Sequence, residues 1–83
     1  MFTGSGTSIT PFFSSKGGLL TVAGTYQADD SLVKINLRDS KGRFVEEIAN
    51  QSDTFIGSKG VKVKPGIYFV ELEGDGAWSV AVE

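Results

Sequence analysis

The chain has 83 residues, 8 basic against 10 acidic side chains for a formal net charge of -2, 40% hydrophobic residues, and neither cysteine nor histidine. Those counts exclude disulfide scaffolds, thiolate and imidazole metal sites, Cys- or Ser–His nucleophile systems and histidine acid–base chemistry. The charge balance also lacks the concentrated basic face of a nucleic-acid binder, and a domain this small buries only about 60% of its unfolded surface, so its core is thin.

Met1-Phe2-Thr3-Gly4-Ser5-Gly6 has neither the basic nor the apolar region of a secretory signal. No apolar stretch approaches the roughly 18 residues that cross a bilayer as a helix. Met1 is read either as the native start of a chain kept where it is made, or as the head of a piece excised from a longer protein.

Short runs of Val, Ile, Thr, Phe and Tyr alternate with 11 glycines. That spacing predicts an all-β antiparallel β-sandwich, jelly-roll or immunoglobulin-like, of about seven or eight strands in a single domain over residues 1–83. No window carries a sustained helical pattern. The best candidate, residues 43–50, is short and bounded by turn residues. In chain order the strands are expected at residues 8–13, 19–26, 32–38, 44–49, 54–56, 61–64, 67–73 and 77–82, with 2–6 as a short edge strand.

The segment 32–38 is the clearest, because Val33, Ile35 and Leu37 alternate with Lys34, Asn36 and Arg38. Asp39-Ser40-Lys41-Gly42 then predicts a tight hairpin with Gly42 at positive φ. Val61 and Val63 alternate with Lys62 and Lys64 before Pro65 stops the run, which suits a strand near an edge. Ser15-Lys16-Gly17, Ser40-Lys41-Gly42 and Ser58-Lys59-Gly60 recur, and shared turn chemistry explains the recurrence more simply than an internal repeat. At the C-terminus, Tyr68, Val70 and Leu72 share one face, as do Trp78, Val80 and Val82. A hairpin with the loop Gly74-Asp75-Gly76 sets Leu72 beside Trp78, Val70 beside Val80 and Tyr68 beside Val82, whereas a one-residue slip exchanges the faces. Trp78 is then core rather than a sugar-stacking platform. Tyr26 and Tyr68 are expected to bury their rings and send their hydroxyls to a partner at the edge.

The order of these features resembles small bacterial β-sandwich accessory domains of the pre-peptidase C-terminal type and related jelly-roll modules. The elements that carry it are Gly4-Ser5-Gly6, an early aromatic at Phe12 or Phe13, Gly24-x-Tyr26, Val33-x-Ile35-x-Leu37-x-Asp39 with Gly42, Pro65-Gly66-x-Tyr68-x-Val70, and Gly76-x-Trp78-x-Val80. The resemblance implies a non-catalytic role in attachment, spacing or binding.

The chemical constellations are sparse. Asp29, Asp30 and Asp75 are the calcium candidates the loops offer, but calcium takes about six to eight oxygens and no dense Asp-x-Asp-x-Asp-Gly run is present. They read more simply as solvated turn carboxylates. Glu46 and Glu47 are adjacent, so on a strand they point to opposite faces and cannot flank one glycosidic bond. Glycine-rich Gly4-Ser5-Gly6 and Lys16-Gly17-Gly18 lack the strand-to-helix context of a phosphate loop. Lys34, Arg38, Arg43, Lys59, Lys62 and Lys64 read as a solvated strand face, because acidic residues interleave with them.

Large apolar side chains are in surplus for one small core. Phe2, Phe55, Ile67, Phe69 and one of Phe12 or Phe13 either complete the ends of the core or form a second apolar surface that meets another subunit. The expectation is therefore a non-enzymatic structural or assembly protein with no cofactor, associating with itself or with a protein partner and with neither nucleic acid nor membrane. A phage virion accessory, such as a capsid decoration or tail-associated protein, follows if Met1 is the native start. The alternative is a carbohydrate- or surface-binding module from a secreted bacterial protein, extracellular and binding a glycan.

Overall fold

The computed structural model describes residues 1–28 and 32–83. Nine strands run in order: β1 (Phe2–Ser5), β2 (Ser8–Ile9), β3 (Phe13–Ser15), β4 (Gly18–Tyr26), β5 (Val33–Asp39), β6 (Phe44–Gln51), β7 (Phe55–Val63), β8 (Gly66–Glu73) and β9 (Ala77–Val82). They form two antiparallel sheets. The first has the order β1-β9-β4-β7; the second has β2-β8-β5-β6, with β3 also pairing along β8. The all-β sandwich expected from the sequence is the fold observed.

Strand alternation sets the core. Leu20, Val22 and Tyr26 of β4, with Trp78 and Val80 of β9, point inward from the first sheet. Val33, Ile35 and Leu37 of β5, with Tyr68, Val70 and Leu72 of β8, point inward from the second, and all are buried. The two tyrosines behave as expected: Tyr26 donates its hydroxyl to the Gly6 carbonyl at 2.9 Å and Tyr68 donates to the Lys64 carbonyl. The indole of Trp78 lies flat over Gly4, where an added Cβ would fall 2.6 Å from Cζ2. The hairpin after β5 also forms as read, with the Gly42 amide donating to the Asp39 carbonyl at 2.9 Å and Gly42 at φ 81.

Three expectations need correction. The C-terminal pair is not a hairpin. β8 lies in the second sheet between β5 and the β2/β3 pair, while β9 lies in the first between β1 and β4. Gly74-Asp75-Gly76 is therefore an arch that carries the chain across the sandwich. The inward faces were read correctly, because alternation fixes which side chains are dry. It does not say whether the opposing dry face is a lateral neighbour or lies across the core.

The segment 8–13 is not one strand. Pro11 has no N–H to donate, so the ladder along β8 breaks there. Thr10 repairs the break: its N–H donates to the Val70 carbonyl at 2.9 Å, and its Oγ1 accepts the Val70 N–H at 3.0 Å. Conversely, segments 54–56 and 61–64 are one strand. Gly57-Ser58-Lys59-Gly60 carries turn residues, yet it pairs with β4 in unbroken register from Gly18↔Val63 to Tyr26↔Phe55. A long amphipathic partner outweighs weak local preference.

Side chains bridge the two sheets at both lateral openings of the sandwich. On one side the rings of Phe2 on β1 and Phe13 on β3 stack with centroids 6.2 Å apart. On the other, the Lys59 ammonium on β7 reaches β6, 3.0 Å from Glu46 Oε2 and 2.9 Å from the Glu47 carbonyl.

Candidate functional site

Two surfaces have the character of contact sites. The first is the outer face of the second sheet. Ladder partners share a face, so Ile67 and Phe69 of β8, Ile9 of β2 opposite Glu71, and Phe44 of β6 opposite Arg38 all point away from the core. The Pro11 break swings Phe12 onto this face, where its ring sits 5.4 Å from that of Phe69. Phe69 is buried beneath it, while Phe12 is 59%, Phe44 58%, Ile9 57% and Ile67 47% exposed. An ion pair crosses the patch, Arg38 Nε to Glu71 Oε1 at 3.0 Å, and Arg38 Nη1 also donates to the Gly42 carbonyl. This face is thus a cluster of apolar side chains ordered around one satisfied charge pair.

The six side chains singled out from sequence divide evenly. Phe12, Ile67 and Phe69 come together on this outer face. Phe2, Phe13 and Phe55 are half-buried and pack against the core from its rims. Sequence reasoning missed Ile9 and Phe44. The signal for Phe44 was available, since a tight hairpin brings it back beside Arg38. The signal for Ile9 was masked by treating 8–13 as a continuous strand.

The second surface is the end of the sandwich where the β5–β6 hairpin tip meets the end of β7. There a cleft of about 460 Å³ is bordered by Lys41 and Arg43 on one wall and by Lys62 and Lys64 on the other, with Val45, Val63 and Tyr68 among its lining. Its carboxylate, Asp39, is committed to the hairpin. It accepts from the Lys41 and Arg43 backbone amides at 2.9 and 3.0 Å and pairs with Arg43 Nε at 2.8 Å. Desolvation pushes the Asp39 carboxyl upward, but these donors and the Arg43 charge outweigh it and hold the pKa below the usual carboxylate value. Among the described residues, Lys41, Lys62 and Lys64 have no carboxylate within ion-pairing distance.

The basic residues read from sequence as one solvated face are therefore dispersed. Arg38 and Lys59 are ion-paired, Lys34 stands opposite Glu73, and Lys62, Lys64 and Arg43 converge at the cleft. Of the calcium candidates, Asp29 and Asp30 lie outside the described residues. Asp75 sits in the arch near Tyr26, whose hydroxyl pKa is raised by burial and by the Asp75 charge. Among the described residues, no group of three or more acidic side chains is placed to hold a metal ion.

No protein-family model matches the chain, and no curated protein matches it.

Proposed function

We propose that this protein is a non-catalytic assembly protein that docks through the outer face of its second sheet, first against a second copy of itself. The observation that carries this role is the exposed cluster of Phe12, Ile67, Phe44 and Ile9 around the buried ring of Phe69. Aromatic side chains concentrated on one face supply most of the energy in protein–protein contacts, and the Arg38–Glu71 pair at its centre adds register without leaving a bare charge. In its most concrete form the role is that of a virion accessory, such as a capsid decoration or tail-associated protein.

Sedimentation at micromolar concentration tests the docking. A closed oligomer that Phe12→Asp converts to a folded monomer is the expected result. A wild-type chain that sediments as a monomer at every concentration removes self-docking. For the virion role, particles assembled without the protein should lose stability, and unchanged particles would refute it.

A further inference from the structure

We infer that the basic cleft is a second binding site, separate from the apolar face, and that it takes an extended acidic peptide segment of a partner protein, added as a strand along the open edge at the end of β7, from Val61 to Val63, and beside Lys64 just past it. Three observations converge on it. First, β7 is the terminal strand of its sheet, so one row of its backbone amides and carbonyls has no strand beside it. Second, that edge is guarded over only part of its length. Lys59 points inward and clasps Glu46 and the Glu47 carbonyl, which seals β7 to β6 at that level. Beyond Gly60 the seal ends, and the space between β7 and the β5–β6 hairpin opens into the cleft. Third, the open portion is strongly one-signed: Lys41, Arg43, Lys62 and Lys64 stand against Asp39, whose charge is already matched by Arg43.

The register of β7 specifies the occupant. Val61 and Val63 face inward, with Leu20 and Gly18 of β4, while Lys62 faces outward with Leu19. A strand paired to this edge alternates in the same way. One set of its side chains meets the valines and must be apolar. The other set meets Lys62 and Lys64, whose positions about 7 Å apart along the strand match a spacing of two residues, and must be acidic. A segment alternating valine or isoleucine with glutamate satisfies both rows and the free backbone groups at once. An acidic glycan offers the charges but neither the apolar row nor the amide ladder.

A fluorescent decapeptide alternating valine and glutamate is the probe, with its glutamate-to-lysine counterpart and a hexuronate as comparators. Binding is followed by fluorescence anisotropy and by amide hydrogen exchange. The decapeptide should bind, with new exchange protection confined to residues 61–64. Its affinity should fall at least roughly tenfold at about 300 mM salt and by a similar factor in the Lys62→Glu, Lys64→Glu double variant. Both positions are exposed, so that variant keeps the fold, which its unchanged melting curve verifies. The lysine peptide should not bind. Equal binding by the double variant, no protection at residues 61–64, or tighter binding of hexuronate than of the decapeptide would each overturn the assignment. Self-docking through Phe12 can fail without touching any of these readouts.

Discussion

At the scale of single residues, the least replaceable groups stand where the backbone has run out of partners. Thr10 is 1% exposed and carries a hydroxyl that accepts the Val70 amide at the Pro11 break. Valine is nearly the same shape, so Thr10→Val leaves packing intact and strands a buried N–H. That should cost about 1–3 kcal/mol, read as a shift in the urea midpoint, while Thr10→Ser should restore most of the loss. Tyr26 is fully buried and donates to the Gly6 carbonyl at 2.9 Å. Tyr26→Phe should cost about 1 kcal/mol at neutral pH. The same residue gives a pH signature. Burial first, and the Asp75 charge second, raise the phenol pKa above its ordinary value of 10.0. The folded chain therefore keeps a proton that the unfolded chain releases. The resulting stability is full below pH 10.0 and is lost as pH rises through the folded value. The difference in urea midpoint between wild type and Tyr26→Phe should be constant below pH 10.0 and narrow as the pH rises above it; a constant difference would show that the phenol does not titrate differently in the two states.

At the scale of elements, the informative one is β7. Its inward Lys59 is a charge placed where a terminal strand otherwise invites another chain. Lys59→Val should change the melting temperature little, because the exposed pair with Glu46 contributes under about 1 kcal/mol. It should nevertheless promote association through the exposed edge, visible as light scattering that grows with concentration. Unaltered solubility would mean that the edge is protected by something else. The sequence was most readable where alternation was strict and a turn was local. Val33, Ile35 and Leu37 marked the buried face of β5, and Asp39 to Gly42 its hairpin. It was least readable where partners were remote. Tyr68, Val70, Leu72, Trp78 and Val80 were correctly assigned to the core, yet the sheets they belong to were not, since a hairpin and an arch demand the same alternation. The basic cleft was invisible for a related reason. Its two walls come from segments 19 or more residues apart, Lys41 and Arg43 on one and Lys62 and Lys64 on the other, and the crossing of β7 to β8 brings them together. The apolar face was half legible. Phe69 and Ile67 followed from the register of β8, but Phe12 reaches that face only through the Pro11 break.

For the molecule as a whole, connectivity dominates. Every ladder of the first sheet joins strands distant in sequence: β1 with β9, β9 with β4, and β4 with β7. In the second sheet, among the described residues, only β5 and β6 are consecutive. One local hairpin thus supports a structure whose other pairings each close a long loop, and whose first strand pairs Phe2 with Val80. Loop-closure entropy is lost before these contacts form, so folding should be slow for the chain length, in the millisecond-to-second range of sandwich domains. Trp78 is well placed to report it. It lies on β9 between β1 and β4, buried against Gly4, so its environment becomes native only when the first and last strands have met. Stopped-flow refolding followed by Trp78 fluorescence should give one slow phase. The β5–β6 hairpin, monitored by amide protection in pulse-labelled exchange, should be protected no later than that phase. Deleting residues 77–83 should leave the chain unfolded, because among the described residues β9 is what pairs with both β1 and β4. A truncated chain that retained native protection in β5, β6 and β8 would show instead that the second sheet is stable alone, and that the two halves of the sandwich do not fold as one unit.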